Sequence, residues 1–175
     1  MNTKEQSNTK EQPRLGVDFG RVIQGAALAP GVADTVFLSG GFEEAMRTPP
    51  SPGAFEVLPR LVRRFGGRAW IISKCGPRVQ DRTRQWLDHH EFYERTGLSR
   101  DNVRFCRARA EKARHCAELS ITHMIDDRID VHVALRGLVP NLYLFGVQTE
   151  PAPDWVSHTV TWSDVENAVE ASFAA

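Results

Sequence analysis

The chain has 175 residues and a formal net charge of zero, so it lacks the basic surface that nucleic acids or anionic membranes attract. This composition favours a small molecule as the partner and argues against nucleic acid and membrane. A polar N-terminus, no membrane-length apolar run and an odd number of cysteines (three) predict a cytoplasmic protein without a disulfide framework.

The N-terminal segment, residues 1–13, contains Asn-Thr-Lys-Glu-Gln twice and no apolar residue after Met1. Such a segment has nothing to bury, and we expect it to be disordered or of artificial origin. Residues 14–175 have the length and apolar content of a single domain with its own core.

A short apolar run, residues 15–17, predicts a buried strand that ends at Asp18 and is followed by a turn at Gly20. Ligands of open α/β sheets gather beyond the carboxyl ends of such strands, which makes Asp18 a candidate functional residue. The next stretch, residues 24–52, is rich in Gly, Ala and Pro. We interpret it as a short cap insertion over the site, with one helix at 42–46.

From residue 52 onward, strand and helix patterns alternate. Strands are predicted at 68–73, 103–106, 122–127 and 141–145. Helices are predicted at 54–65, 79–90, 111–119 and 130–137, and a last helix opens with Ser163 and Glu166 as a capping box. This alternation predicts an α/β fold, a Rossmann-like three-layer sandwich with a largely parallel sheet.

Functional side chains follow several predicted strands. They are Asp18, Ser73, Asp126 and Asp127, with Lys112 on the helix before the last pair. Because parallel strands end at one edge of a sheet, we expect these groups to converge. Carboxylates suit a Mg²⁺ ion, a hydroxyl and an ammonium suit phosphoryl oxygens, and Asp18 could attack phosphorus as a nucleophile.

The same residues, in the same order, resemble the four motifs of the haloacid dehalogenase-like superfamily, over about residues 15–145. Within it, the pattern is similar to 5'(3')-deoxyribonucleotidases. The resemblance implies Asp18 as nucleophile and metal ligand and Ser73 and Lys112 as phosphate-binding residues. It implies three further Mg²⁺ ligands, the carbonyl of Gly20 and the carboxylates of Asp127 and Asp126.

Two positions depart from the superfamily pattern. Its phosphatases carry a second Asp two residues after the nucleophile, as general acid and base, and here that position is Gly20. Loss of such a group costs about 10² to 10⁴ in rate. Arg21 replaces a usual glycine, and either binds an anionic group, such as phosphate, or only fills space.

The insertion is also shorter than a nucleotidase cap. This leaves two alternatives open, an open site or one closed by a second copy of the chain in a homo-oligomer.

These observations lead to a leading hypothesis and two alternatives. The first is a Mg²⁺-dependent phosphohydrolase of a small phosphorylated metabolite, such as a nucleotide, acting through an aspartyl-phosphate on Asp18. The second is a catalytically impaired binding protein of the same fold. The third is a hydrolase of carbon–phosphorus or carbon–halogen bonds, and the carbon–phosphorus branch is disfavoured because no lysine lies between Arg14 and Ser73.

Overall fold

The computed structural model describes residues 11–25 and 34–175. Its strands are β1 (Leu15–Val17), β2 (Ala69–Lys74), β3 (Val103–Cys106), β4 (His123–Asp126), β5 (Asn141–Phe145) and β6 (Ser157–Thr159). Its helices are α1 (Thr35–Ser39), α2 (Phe42–Arg47), α3 (Ala54–Arg64), α4 (Pro77–His89), α5 (Phe92–Thr96), α6 (Glu111–Glu118), α7 (Ile129–Leu135) and α8 (Trp162–Ala174).

The six strands form one sheet in the order β3-β2-β1-β4-β5-β6, and every neighbouring pair is parallel. Strand β1 therefore lies between β2 and β4. All three end at the same edge of the sheet, so the residues that follow β1 lie beside the ends of β2 and β4. The predicted α/β fold with a largely parallel sheet is confirmed.

The core has one part on each face of the sheet. Along β2, Ile71 belongs to one buried cluster, while Trp70 and Ile72 belong to the other, as the two-residue period of a strand requires. Helices α3 and α8 contribute to the first cluster, and α6 and α7 contribute to the second. The sheet thus has helices on both faces, which confirms the three-layer arrangement.

Gly16 shows how tightly the central strand is packed. A Cβ atom at this position would lie 2.6 Å from Sδ of Met124 and 3.2 Å from Ile72. Side chains of the neighbouring strands fill that space, so any larger residue would displace them. The glycine in the middle of β1 is therefore required by packing.

Helices α1 and α2 lie within the predicted insertion 24–52. The helix expected at 42–46 is present as α2, whereas α1 was not predicted, and residues 26–33 lie outside the described part of the chain.

One face of α4 binds this pair of helices through side chains spaced four residues apart. Arg78 donates to the carbonyl of Leu38, and Arg82 donates to those of Phe37 and Gly40. Further along the same face, Trp86 Nε1 donates to the Thr48 carbonyl and His90 Nε2 lies 2.8 Å from the Met46 carbonyl. Backbone groups of α1 and α2 are thus bonded to a helix of the main domain.

One local prediction was wrong, and two further elements were not predicted. Helix α8 begins with a capping box of Thr161 and Asp164, not of Ser163 and Glu166. Strand β6 and helix α5 were not predicted. Of the predicted N-terminal tail 1–13, residues 1–10 lie outside the described part of the chain. In the described part, no helix is long and apolar enough to cross a bilayer.

His123, at the start of β4, is buried among aromatic rings. Its ring stacks with those of Tyr143 and Phe173 and meets Phe65 edge-on at 4.9 Å between centroids. Burial lowers the pKa of His123 to about 4. The unfolded chain, with a histidine pKa near 6.5, therefore binds a proton that the folded chain does not, and stability falls as the pH drops from about 6.5 to about 4.

Replacing His123 with Phe should remove this contribution. Between pH 6.5 and pH 5, we expect the free energy of unfolding of the native chain to fall by about 1.5 kcal/mol more than that of His123→Phe. Urea unfolding at the two pH values measures the difference. His89→Phe, at an exposed histidine, is the control and should behave like the native chain. Equal pH dependence of His123→Phe and the native chain would contradict the prediction.

Candidate active site

Asp18 begins the loop after the central strand β1. Its backbone N–H donates to the carbonyl of Ile125 at 2.9 Å, which extends the contact with β4 by one residue. The carbonyl of Phe19 accepts from three N–H groups in succession, those of Val22, Ile23 and Gln24. The chain therefore turns sharply after Asp18 and leaves its carboxylate, which is 7% exposed, at the end of the sheet.

The ring of Phe19 holds this turn in place by packing against two helices. It lies 5.6 Å from the ring of Phe37 in α1 and 5.3 Å from that of Trp86 in α4, measured between centroids. Trp162, the first residue of α8, donates from Nε1 to the carbonyl of Val22 at 2.9 Å. Three helices thus hold the loop that carries Asp18.

Lys112 places a buried ammonium between two carboxylates. Its Nζ lies 3.0 Å from Oδ1 of Asp18 and 2.6 Å from Oδ2 of Asp126. Burial alone would lower the pKa of Lys112, but the two carboxylates outweigh that effect and raise it above the ordinary value of lysine. The side chain is therefore a permanent cation at the site.

Asp18, Asp126 and Asp127 form a compact group of three carboxylates. One oxygen of each lies within 4.8 Å of one oxygen of the others. Burial, with the repulsion of Asp126 and against the attraction of Lys112, raises the pKa of Asp18 to about 6. Burial and the charges of Asp18 and Asp126 raise the pKa of Asp127 to about 8. The negative charges thus oppose one another, and Lys112 compensates them only in part.

The backbone that carries Asp126 and Asp127 is fixed by residues outside the predicted set. His132 Nε2 lies 2.9 Å from the Asp126 carbonyl, and Gln148 donates to the Asp127 carbonyl at 3.0 Å. The N–H of Arg128 donates to Oδ1 of Asp126 at 2.9 Å. The sequence analysis singled out neither His132 nor Gln148. Both act on backbone carbonyls, and the one signal in the sequence is the apolar Val131 beside His132, which indicates a partly buried helix.

Arg21 also lies at this group. Its Nε is 3.6 Å from Oδ2 of Asp127. Its backbone has φ of 64°, in the left-handed region that favours glycine, so the superfamily glycine at this position suits the turn. The proposed roles of Arg21 in binding phosphate and of the Gly20 carbonyl in binding metal stay predictions.

Ser73 is buried near the end of β2, the strand next to β1, where its predicted contact with phosphate also stays a prediction. Cys75 follows two residues later and is half-buried. Burial raises the pKa of its thiol to about 11, with the charge of Asp18 acting in the same direction. Cys75 thus lies within electrostatic reach of the site as a neutral thiol.

The chemistry of the donors can be compared with that of Mg²⁺. Among the described residues, Asp18, Asp126 and Asp127 are the one group of three ligating side chains that come this close together. All three offer oxygen, the donor that Mg²⁺ prefers, and their mutual repulsion would be relieved by a cation. The residues present therefore fit a magnesium ion, whereas no cysteine or histidine joins them as a zinc site would require.

Removal of the buried ammonium should be costly. We expect Lys112→Met to lower the free energy of unfolding by about 3 to 5 kcal/mol, because Asp18 and Asp126 lose their shared counterion. Lys74→Met, at an exposed lysine of β2, is the control and should change stability by less than about 0.5 kcal/mol. Urea unfolding measures both variants without added metal, and equal stabilities would show that Lys112 does not balance the carboxylates.

Comparisons with known proteins bear on the fold. No family model matches the chain. Over 83 residues it is 37% identical to the 23S rRNA (uracil(1939)-C(5))-methyltransferase RlmD of Alkalilimnicola ehrlichii, a stretch that is 47% of this chain and 18% of that protein. The chain therefore matches less than a fifth of this relative's length, and the likeness says nothing of the carboxylate site.

A solved structure matches much more of the chain. It is that of a provisionally assigned haloacid dehalogenase-like hydrolase from Burkholderia xenovorans LB400, with a TM-score of 0.53 and 17% identity. The match covers 81% of this chain and 65% of that one, just under two thirds of its length. At this identity the likeness establishes the fold alone, and the protein described here has the haloacid dehalogenase-like fold.

Proposed function

We propose that this protein is a Mg²⁺-dependent phosphohydrolase that acts on a small phosphorylated metabolite, nucleotides included, through an aspartyl-phosphate on Asp18. The proposal depends on one observation above all. A buried carboxylate at the end of the central strand lies against the ammonium of Lys112 and within 4.8 Å of Asp126 and Asp127. A nucleophile, a cation for phosphoryl oxygens and the ligands for a metal thus share one site.

In this proposal each residue has a separate task. Asp18 attacks phosphorus, and Lys112 holds Asp18 in place and offers positive charge to the phosphoryl group. Ser73 donates a hydrogen bond to a phosphoryl oxygen. Asp18, Asp126, Asp127 and the Gly20 carbonyl would hold Mg²⁺. When bound, the ion would neutralise phosphoryl oxygens and reduce their repulsion of the carboxylate nucleophile.

A second candidate function is favoured by the residue at position 20. Gly20 has no side chain to donate or accept a proton, so in this alternative the domain binds Mg²⁺ and a phosphorylated molecule without turning it over. That protein would be a catalytically impaired binding protein. Three further proposals come from the sequence alone. They are the nucleotidase subtype, the cytoplasmic location and a homo-oligomer that closes the site.

Phosphate release should require both the metal and Asp18. We expect release from a panel of nucleoside mono- and diphosphates, sugar phosphates, acetyl phosphate and an aryl phosphate to depend on Mg²⁺. Asp18→Asn should lower it to the uncatalysed rate, because a carboxamide does not attack phosphorus. Asp127→Asn should weaken Mg²⁺ binding, followed by calorimetry, by at least about 10- to 100-fold.

Asp130→Asn is the matched control, since Asp130 is exposed, pairs with Arg128 and lies outside the carboxylate group. It should retain both release and Mg²⁺ binding. If the native chain binds Mg²⁺ and phosphorylated molecules but releases no phosphate, the binding-protein function replaces the phosphohydrolase. If Asp18→Asn releases phosphate as fast as the native chain, Asp18 is not the nucleophile.

A further inference from the structure

The described groups around Asp18 leave a departing alcohol without a proton donor. Lys112 directs its ammonium to Asp18 and Asp126. Asp126 accepts hydrogen bonds at both oxygens, from Lys112 and from the N–H of Arg128, so neither oxygen is directed to a leaving group. Arg21 is a guanidinium, which does not give up its proton in proteins. Asp127 would serve as a ligand of Mg²⁺ in the proposed function, and a coordinating carboxylate is ionised. With the ion bound, these groups would stabilise charge and would not serve as acids.

Position 20 carries no side chain, and the structure leaves space for one. A Cβ atom built on Gly20 meets no atom of the described part of the chain within 4 Å, its chain neighbours aside. Its backbone is not among the left-handed glycines, so an ordinary side chain can occupy the position without backbone strain. Among residues 11–25 and 34–175, no side chain beyond the chain neighbours occupies the space beside Gly20.

The insertion supplies no acid either. By sequence, residues 26–33 are Ala, Leu, Pro, Gly and Val only, and none of these side chains transfers a proton. In α1 and α2, each carboxylate accepts a hydrogen bond elsewhere. Asp34 accepts from Phe37 N and Gln24 Nε2, Glu44 accepts from Gly41 N, and Glu43 accepts from Arg47.

Among the described residues, two further side chains that carry a proton, His132 and Cys75, lie near the site. His132 is fully buried and its Nε2 is directed to the Asp126 carbonyl, behind the strand end. The Cys75 thiol is half-buried, and its raised pKa, about 11, makes it a weak acid. The thiol is therefore the one described side chain whose contribution needs a direct test.

We propose that this site selects phosphoryl donors whose leaving group departs as a stable anion, namely acyl phosphates, phosphoanhydrides and aryl phosphates, over phosphate esters of alcohols. The inference rests on the proposed function and narrows it. Nucleoside monophosphates are esters of alcohols and become poor substrates. A nucleotide that serves this site carries a phosphoanhydride, which is attacked at its terminal phosphorus.

The chemistry of both steps is balanced without an acid from the protein. A carboxylate oxygen of Asp18 forms a bond to phosphorus, the bond from phosphorus to the leaving oxygen breaks, and that oxygen keeps the electron pair. Water then attacks phosphorus and gives its proton to solvent, and the bond to Asp18 breaks, which restores the carboxylate and releases phosphate.

Leaving-group acidity decides the rate of the first step. A carboxylate leaving group has a conjugate acid of pKa about 4 and a phenolate has one of about 10, whereas an alkoxide resembles hydroxide, whose conjugate acid is far weaker than a phenol. A positioned acid would raise the rate for alcohol leaving groups by about 10² to 10⁴ and so reduce this difference. Without such an acid, kcat/KM shows the full difference between the leaving groups.

The test is a series of substrates of graded leaving group with the full chain and Mg²⁺. The series runs from acetyl phosphate and 2,4-dinitrophenyl phosphate through phenyl phosphate to an alkyl phosphate of similar size. For the native chain, kcat/KM should fall steeply along the series. Gly20→Asp should raise kcat/KM for the alkyl phosphate relative to dinitrophenyl phosphate by about 10² or more, because it supplies an acid.

Gly20→Asn is the matched control, since it has nearly the same size and cannot donate a carboxyl proton. The ratio between the two substrates should stay at its native value in this variant. Circular dichroism establishes that both variants are folded. Asp34→Asn and Cys75→Ala should likewise leave the native ratio unchanged.

Each outcome is decisive. If the native chain hydrolyses alkyl and aryl phosphates with similar kcat/KM, the inference is wrong while the phosphohydrolase stands, and a loss confined to alkyl phosphates in Cys75→Ala would identify the thiol as the acid. If neither acetyl phosphate nor dinitrophenyl phosphate is cleaved, the proposed function fails and this inference fails with it. A steep native series that Gly20→Asp flattens and Gly20→Asn does not supports both.

Discussion

The ammonium of Lys112, held between Asp18 and Asp126, is the interaction on which the rest of the site depends. Two carboxylates at buried strand ends repel each other, and a buried cation is costly on its own. The ammonium reduces the repulsion between the two carboxylates, and the carboxylates offset the cost of burying the ammonium. The sheet order makes this possible, because β1 lies beside β4 and the helix between β3 and β4 carries Lys112 across their ends.

The site nevertheless keeps repulsion between carboxylates and some backbone strain. Asp18, Asp126 and Asp127 lie close together, and Arg21 adopts a left-handed backbone that costs a non-glycine residue on the order of 1 kcal/mol. Such costs persist where the surrounding structure imposes them and are frequent at functional sites. Here the packing of Phe19 and the bond from Trp162 hold the turn, while His132 and Gln148 hold the opposite strand end.

Sequence patterns predicted the sheet and its main helices, because apolar strands are local signals. They also predicted the convergence of Asp18, Lys112, Asp126 and Asp127, because polar residues at strand ends are local signals too. Strand β6 escaped because Ser157-His-Thr159 is short and polar, as an edge strand can be. His132 and Gln148 escaped because they act on backbone carbonyls, which leave no trace in composition or spacing. The capping box was misplaced by two residues, since Ser163 and Glu166 show the same spacing as Thr161 and Asp164.

The bond from Trp162 to the carbonyl of Val22 has a consequence for how the site is made during synthesis. The turn after Asp18 leaves the ribosome 140 residues before Trp162, one of its supports. Lys112 and the Asp126–Asp127 pair also follow long after Asp18. A growing chain therefore carries Asp18 without its counterion until Lys112 has been added, and it carries the turn without the bond from Trp162 until α8 has begun.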